Sequence, residues 1–319
     1  MKKILLIFYG GTGLSDKKGN FKFVKEEKNI EEWLELVPEL LMTAEIKTHV
    51  ILGDHLNKKN ITDLIKVIEK NISKFDGIVI IHEVDTIPLL SNQLFWQIQN
   101  PSKPIVITGS NVIQTEDSII PDLSFKANLI NAFQIVNTNL KKISVIYGNR
   151  VIAPFRVKRS KLHDLNIFKS VGKKYLAKID FGLSLEKIDE QKGKMKFFYN
   201  FNDDFIFFNN IPDFTVLEKL LVKNSPVNIF IFRAFPDQII KKDKLIEIFD
   251  LACKNKKMLI FYSEVGFGKD FLKHNIITIS KITSDCLSAK LSWILGQTRD
   301  QNKIRKILQD NVQGEFLAF

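Results

Sequence analysis

Cysteine is nearly absent from this chain. Only two cysteines, Cys253 and Cys286, occur in 319 residues, and two residues so far apart form neither a disulfide framework nor a recognisable metal-binding motif. We interpret both as thiols of a protein core. The sequence therefore excludes a small disulfide-stabilised fold, and we predict neither a metal nor a cofactor.

Long apolar runs are also missing. No stretch approaches the ~20 apolar residues that a membrane-spanning helix needs. The opening residues, MKKILLIFY, differ from a secretory signal because an apolar run of about six residues is short for one and meets Gly10 and Gly11 instead of a cleavage site. They fit a buried first strand better. We therefore expect a cytoplasmic protein with no membrane partner.

Acidic residues are fewer than basic ones. The chain has 47 Lys and Arg against 36 Asp and Glu, a formal net charge of +11, and such an excess is typical of nucleic-acid-binding proteins. However, the lysines occur singly or in pairs between acids, and the densest basic stretch, 156–161, is short. We interpret the excess as solvated surface and do not expect nucleic acid as a partner.

Apolar strand patterns alternate with helical ones in the first half of the chain. Amphipathic helices are predicted at 60–71 and 122–137. Strands are predicted at 4–9, 49–52, 77–82, 104–109 and 143–147. This alternation predicts an α/β fold with a doubly wound, mostly parallel sheet.

The pattern changes at 177–209, which is aromatic and irregular and is interpreted as a hairpin followed by a linker. Its phenylalanines are expected in a hairpin core or a subunit interface rather than in a base-stacking platform. A smaller α/β unit follows. We predict an N-terminal domain at 1–190 bearing the cleft, a linker at 191–212 and a C-terminal domain at 213–319.

Four segments that follow predicted strands should meet in one cleft, because ligand sites of parallel sheets lie beyond the carboxyl ends of the strands. These segments are 10–13, 53–55, 82–86 and 108–111. The glycine turn before Thr12 is weak evidence alone, since such a turn is as often a phosphate cradle or a plain tight turn. It matches neither the dinucleotide fingerprint nor a Walker A loop.

Several motifs resemble the bacterial type I and type II L-asparaginases. DGIVIIHEVDT at 76–86 is similar to that family's Asp-Gly-x-Val-x-x-His-Gly-Thr-Asp-Thr segment. The strand at 103–109 and the helix at 127–132 resemble the elements that follow it, and 289–297 with 314–316 resemble the closing helices of the type I branch. The motifs occur in order at matching spacing, so the resemblance implies the asparaginase fold over essentially the whole chain.

The resemblance implies hydrolysis of a side-chain amide by a threonine nucleophile. Thr12 matches the first threonine of the family and Asp85 the aspartate of the second triad. Val84 stands where the family has the second threonine, and valine has no hydroxyl to attack or relay a proton. Phe21 replaces the tyrosine of the mobile loop, so a further hydroxyl is missing.

The catalytic lysine of the family falls on Arg159, which does not readily give up its proton; only a one-residue slip would place Lys158 there. Glu83 replaces a family glycine and is expected to pair with Arg159 or, alternatively, to serve as a new base. His82 matches a position with a packing role, and His55 is a possible replacement donor at the cleft rim.

The substrate-binding positions also depart from the family. The serine that binds the substrate carboxylate falls on Gly53, and its neighbour on Asp54, an acid where a carboxylate must bind. The acid that the partner subunit contributes falls near Asp285. We expect a ligand cleft formed by the residues Gly11, Gly53, Asp54, Glu83, Val84, Asp85, Arg159 and Asp285.

Three hypotheses follow from these departures. The first is an asparaginase-family protein that has lost or strongly altered asparagine hydrolysis and acts by binding an amino-acid-like ligand or by assembly. The second is a divergent amidohydrolase that uses Thr12, with Glu83 or Asp54 as base. The third is a nucleic-acid-binding protein that uses 156–161. The resemblance also implies a homo-oligomer, a dimer or a tetramer.

Overall fold

The computed structural model describes residues 1–10, 13–15, 21–53, 57–110, 112–114, 119–121, 124–160, 166–186, 193–209, 216–234, 242–267 and 277–317. The chain forms two compact units, Met1–Tyr199 and Asn200–Phe319. The boundary between them falls inside the segment 191–212 that the sequence analysis treats as a linker; the extents predicted for the two domains remain predictions.

The first unit is built on a large sheet with helices along the chain between its strands. Its helices are α1 Glu27–Leu34, α2 Pro38–Thr43, α3 Lys58–Asn71, α4 Ile87–Gln97 and α5 Ser124–Val136. Its strands are β1 Lys2–Tyr9, β2 Gly13–Ser15, β3 Phe21–Phe23, β4 Ala44–Ile51, β5 Gly77–Glu83, β6 Ile98–Gln99, β7 Ile105–Ser110, β8 Val112–Gln114, β9 Ile119–Pro121, β10 Ile143–Tyr147, β11 Arg150–Ile152, β12 Val157–Arg159, β13 Phe168–Ser170, β14 Ala177–Ile179, β15 Leu183–Leu185 and β16 Lys196–Phe197.

The large sheet has eight strands in the order β15-β14-β11-β10-β7-β5-β1-β4. The five strands from β4 to β10 in this order run parallel to one another. At the other end, β11, β14 and β15 are joined by antiparallel pairing. The predicted mostly parallel sheet is therefore confirmed, with an antiparallel extension that includes the hairpin expected after residue 177.

The sequence accounts for the burial of these elements. In α3, the residues Ile61, Leu64, Ile65 and Ile68 recur at helical spacing and all are buried, which is the stripe expected of a helix packed on a sheet. The Asn57 side chain caps this helix by accepting a hydrogen bond from the Lys59 amide. The strand β1 is buried from Ile4 onward, as expected for a parallel strand covered on both faces.

The second unit is a smaller parallel sheet with helices. Its strands are β17 Phe205–Phe208, β18 Ile229–Arg233, β19 Met258–Ser263 and β20 Ile277–Ser280. Its helices are α6 Val216–Asn224, α7 Lys242–Lys254, α8 Ser284–Gln297 and α9 Gln301–Gln309. The four strands pair in chain order and are parallel.

The aromatic segment before residue 209 contributes to the core of the second unit. β17 lies within the predicted linker yet is an edge strand of the second sheet. Phe208 stacks on Phe232 with ring centroids 4.8 Å apart, and Phe207 makes an edge contact with Tyr262. These rings are packed against protein, so they do not form a stacking platform for bases.

A buried ion pair closes the end of the second unit. Lys290 of α8 and Glu315 lie 2.6 Å apart, with both side chains fully buried. The Lys290 ammonium also donates to the carbonyls of Leu308 and Asp310. The C-terminal segment is thereby fixed against α8. Within the described ranges, no helix is long and apolar enough to cross a membrane.

Candidate functional site

The strand order predicts a ligand crevice at the carboxyl ends of the parallel strands of the large sheet. β1 lies between β4 and β5, so the connections that leave β1 and β5 diverge to different sides. In open parallel sheets, ligands bind at such a switch point, beyond the carboxyl ends of the strands. The residues at these ends are Tyr9, Ile51 and Glu83.

The glycine turn after β1 is anchored to the neighbouring strand. Gly10 has a φ of 85°, a conformation that favours glycine, and its amide donates to the Ile51 carbonyl at 3.0 Å. Gly11 and Thr12, which follow this turn, lie outside the described residues, as do Asp54 and His55. Their predicted roles stay predictions.

His82 connects the ends of β1 and β5. Its side chain is fully buried, with Nδ1 3.1 Å from the Tyr9 carbonyl oxygen and Nε2 2.9 Å from the Thr86 hydroxyl. A carbonyl can only accept, so Nδ1 carries the proton. The Thr86 hydroxyl also lies 3.5 Å from the Glu83 carbonyl oxygen, to which it donates. The His82 imidazole therefore links the end of β1 to the segment that follows β5.

The segment after β5 turns one side chain inward and leaves two outward. Val84 is 1% exposed, and its Cγ2 lies 3.1 Å from where a Cβ on Gly109 would stand. Glu83 and Asp85 on either side are exposed. Val84 is thus packed against β7, and the aliphatic side chain at this position contributes packing but no hydrogen-bonding group.

Arg159 forms an ion pair with Asp85. Both side chains are partly exposed, so the pair lies at the surface of the first unit rather than inside its core. Successive residues of a strand face opposite sides, so Lys158 of β12 points away from the side on which Arg159 meets Asp85. The structure gives Arg159 this partner; the predicted pairing of Glu83 with Arg159 remains a prediction.

Gly53 follows β4 in a backbone conformation that a side chain disfavours. Its φ is 111°, and a Cβ there would lie 2.8 Å from the Asn60 amide nitrogen. The serine that the family resemblance places at this position would be strained here. The backbone at Gly53 is therefore one that glycine adopts more readily than serine, and the predicted role of this position in ligand binding stays a prediction.

The nucleic-acid hypothesis requires an exposed basic surface on the stretch 156–161, of which Lys161 lies outside the described residues. Arg156 is buried, donates to the Val171 carbonyl at 2.9 Å and lies over the Phe155 ring. Burial lowers the pKa of its guanidinium below the ordinary value. The hypothesis is corrected at this residue, because a buried cation cannot contact a phosphate.

Asp285 lies in the first turn of α8, in the second unit. Its helix is capped by Thr283, whose hydroxyl accepts a hydrogen bond from the Cys286 amide. The predicted contribution of Asp285 to a partner's cleft stays a prediction. Within the second unit, the Asp285 carboxylate contributes to the charge around Tyr262, in a cluster at the carboxyl ends of β18 and β19.

This cluster was missed by the sequence analysis. Arg233 at the end of β18 lies 3.5 Å from Glu264, directly after β19. Burial, reinforced by the Glu264 carboxylate, raises the pKa of Tyr262. The position of Arg233 and Glu264 at the ends of adjacent strands is the signal that would have found them.

The described residues offer no metal site: among them, no group of three or more His, Cys, Asp or Glu side chains could hold a metal ion. At the carboxyl ends of the first unit's strands lie a buried histidine, a buried valine and the partly exposed ion pair of Arg159 with Asp85. Neither Val84 nor Arg159 can accept a proton from a hydroxyl.

Comparison with known proteins relates the chain to one family. Residues 3–190 match the family model described as "Asparaginase, N-terminal". The chain is 26% identical over 265 residues to the L-asparaginase of Thermococcus kodakarensis, covering 76% of each. It is 23% identical to a glutamyl-tRNA(Gln) amidotransferase subunit of Methanobrevibacter smithii, over 99% of this chain and 77% of that protein.

Solved structures agree on the fold. The L-asparaginase I of Vibrio cholerae superposes with a TM-score of 0.81 at 20% identity, over the whole of both chains. The thermostable L-asparaginase of T. kodakarensis gives a TM-score of 0.80 at 21% identity, covering 99% of this chain and 100% of the other.

Proposed function

Because the chain belongs to the asparaginase family, we propose that it retains the family's ligand cleft but has lost, or strongly altered, the hydrolysis of L-asparagine. Its relatives include proteins named as L-asparaginases and as amidotransferase subunits. The chemistry shared by these names is that of a carboxamide. We accordingly infer an amino-acid-like ligand.

One observation carries the proposal: Val84 is a buried aliphatic residue beside Asp85, and Asp85 is paired with Arg159. The family resemblance assigns a threonine to the position of Val84 and a lysine base to the position of Arg159. A guanidinium held by a carboxylate stays protonated, so it cannot take the proton of a nucleophile. The second triad then lacks both its hydroxyl and its base.

Ammonia release from L-asparagine and L-glutamine tests this proposal. With the full-length protein we expect release at least ~10³-fold slower than from the T. kodakarensis enzyme assayed in parallel, the scale on which the loss of triad groups acts. Turnover within about tenfold of that enzyme would contradict the loss of hydrolysis.

Retention of the cleft is tested separately by thermal shift with single amino acids. A ligand present at about a hundred times its Kd stabilises the folded state by about 2.7 kcal/mol, which is readily measured. Asp85→Asn should weaken the shift, because it removes the charge that would face the ligand's amino group. The matched control is Glu45→Gln, which removes an exposed carboxylate outside the site. This variant should leave the ligand-induced thermal shift unchanged.

A second candidate function is a divergent amidohydrolase in which Thr12 attacks another amide or an ester. It is favoured by the position of the glycine turn, which is anchored through Gly10 at the switch point of the sheet. This candidate requires an activity that Thr12→Ala abolishes and Thr12→Ser partly retains. An activity that survives Thr12→Ala would exclude Thr12 as the nucleophile.

The remaining parts of the proposal concern assembly and location. We propose a homo-oligomer, in which Asp285 faces the cleft of a neighbouring subunit, and a cytoplasmic location. The role of Asp285 is tested with Asp285→Asn. The proposal is supported if this variant reduces the ligand-induced thermal shift but does not lower the melting temperature of the free protein. Fractionation of cells that express the full chain tests the cytoplasmic location.

A further inference from the structure

β15 is the outermost strand of the eight-stranded sheet. It pairs with β14 on one side in an antiparallel register that sets Leu183 opposite Ile179 and Leu185 opposite Ala177. No other strand in the described part of the chain pairs with its second side. Such an edge presents unpaired backbone groups to any strand that approaches it.

The backbone groups at this edge belong to the two leucines. The Glu186 amide donates to the Leu176 carbonyl, and the Asp180 amide donates to the Gly182 carbonyl, so the even-numbered residues point toward β14. Along an antiparallel strand, the backbone N–H and C=O groups of successive residues point alternately to one side and to the other. The N–H and C=O groups of Leu183 and Leu185 therefore point outward, away from the sheet.

The side chains on this edge are apolar and exposed. Leu183 is 38% exposed, Leu185 47%, and Phe181 in the preceding turn is fully exposed. Residues directly opposite each other share a face, so the leucines extend the face on which Ala177 joins the main core. Natural edge strands are usually protected by lysine, proline or a bulge, and β15 has none of these.

The charges next to this strand are already compensated. Arg150 lies 2.7 Å from Asp180, and Lys178 lies 3.9 Å from Glu186. At these described positions, a charged partner strand would therefore meet side chains that already have a counter-charge. Two copies of the strand, by contrast, would meet without like charges facing each other.

We propose that β15 pairs with β15 of a second copy of this chain, antiparallel across a two-fold axis at Ser184. The sequence is self-complementary in this register, since Leu183 and Leu185 are symmetric about Ser184. Leu183 exchanges backbone hydrogen bonds with Leu185 of the partner subunit, and the reverse holds by symmetry. The leucines and the Phe181 rings then share one apolar cluster, and the two sheets become continuous.

The contact is small, and its expected strength follows from its size. Three exposed apolar side chains bury at most a few hundred Å² per copy, below the ~800 Å² per partner of a standard stable interface. We therefore expect self-association in the micromolar range or weaker. If the protein is already oligomeric through another surface, the pairing adds a second, concentration-dependent step.

Charge substitutions at the leucines test the pairing and its register by sedimentation velocity between about 1 µM and about 200 µM. Leu183→Lys with Leu185→Lys places like charges opposite each other and should weaken the association at least about tenfold. Leu183→Glu with Leu185→Lys is equally polar but sets opposite charges face to face across the axis. This oppositely charged variant should recover most of the association. The control Met42→Lys, at an exposed position on α2, should leave the association unchanged.

Hydrogen exchange at the Leu183 and Leu185 amides provides a second readout. Exchange should be fast in dilute protein and slow where the complex forms, while the inward-pointing Ser184 amide stays protected throughout. The proposal is overturned if the wild type shows no concentration-dependent step, if the two charged variants associate equally weakly, or if the double-lysine variant associates like the wild type. Protection of the leucine amides at every dilution would also overturn it, since another segment of the same chain would then cover the edge.

Discussion

His82 joins main-chain and side-chain groups that are far apart in sequence. Its partner Tyr9 is 73 positions away, and its other partner is the Thr86 hydroxyl. Thr86→Val keeps the shape of the side chain but removes the hydroxyl that meets the buried ring nitrogen, which should lower the free energy of unfolding by about 1–3 kcal/mol. Urea denaturation measures this, and Thr86→Ser, which retains the hydroxyl, should cost clearly less.

The sequence alone could identify His82 as a residue near the cleft but could not give its partners. A carbonyl such as that of Tyr9 carries no sequence signal, because every residue has one. The same holds for Arg159: its match to a lysine position of the family is visible in the sequence, but its ion pair with Asp85 depends on which way the turn after β5 faces. Side-chain direction at a turn is a property of the backbone and not of the residue type.

At the scale of elements, the C-terminal segment is held to α8 by Lys290. Burial lowers the pKa of Lys290, although the Glu315 carboxylate raises it in part. Burying the two charges therefore costs free energy, and removing one partner costs more because the other charge stays buried. Lys290→Met leaves a buried carboxylate without its counter-charge and should destabilise the protein by about 3–5 kcal/mol. Lys290→Met combined with Glu315→Gln should cost less in the same urea titration, and Lys303→Met on the exposed face of α9 should be neutral.

The end of the first unit is attached to α3 by a titratable contact. The Tyr199 hydroxyl donates to the Glu69 carboxylate, and burial together with this bond raises the pKa of Tyr199 to about 12. The folded state therefore holds the proton more tightly than the unfolded chain, whose tyrosine pKa is about 10. The contribution of this contact to stability is complete below pH ~10 and is lost as the pH rises toward ~12.

Ultraviolet titration of tyrosinate checks that assignment. The difference between wild type and Tyr199→Phe isolates the titration of this one residue, and Glu69→Gln should move it to lower pH. A Tyr199 titration that is unaffected by Glu69→Gln would show that burial alone raises the pKa.

For the whole molecule, the alternation of apolar strands with amphipathic helices was enough to predict the α/β fold, because burial on a sheet imposes the period of each element. The antiparallel extension from β11 to β15 was foreseen only as a hairpin, since short edge strands carry too little periodicity. The sequence pattern predicts a linker at β17, because its phenylalanines do not alternate with polar residues. Buried parallel strands lack that alternation as well. For β17, only its pairing with β18 distinguishes the strand from an irregular aromatic run.

Net charge is the other property of the whole molecule, and here composition alone misleads. The chain carries +11, yet basic side chains at separate places are paired with acids, as in Lys3 with Glu45, Lys103 with Asp76 and Lys126 with Glu39.

Binding to nucleic acid through diffuse charge falls steeply with salt, whereas a built groove keeps specific affinity. We expect any retardation of RNA or duplex DNA at low salt to vanish by about 0.15 M. Lys158→Gln and Lys169→Gln should weaken the low-salt binding no more than Lys66→Gln, on a different element of the chain. Retention of a sequence-preferring complex at that salt, with selective loss in the Lys158→Gln variant, would restore the basic segment as a binding site.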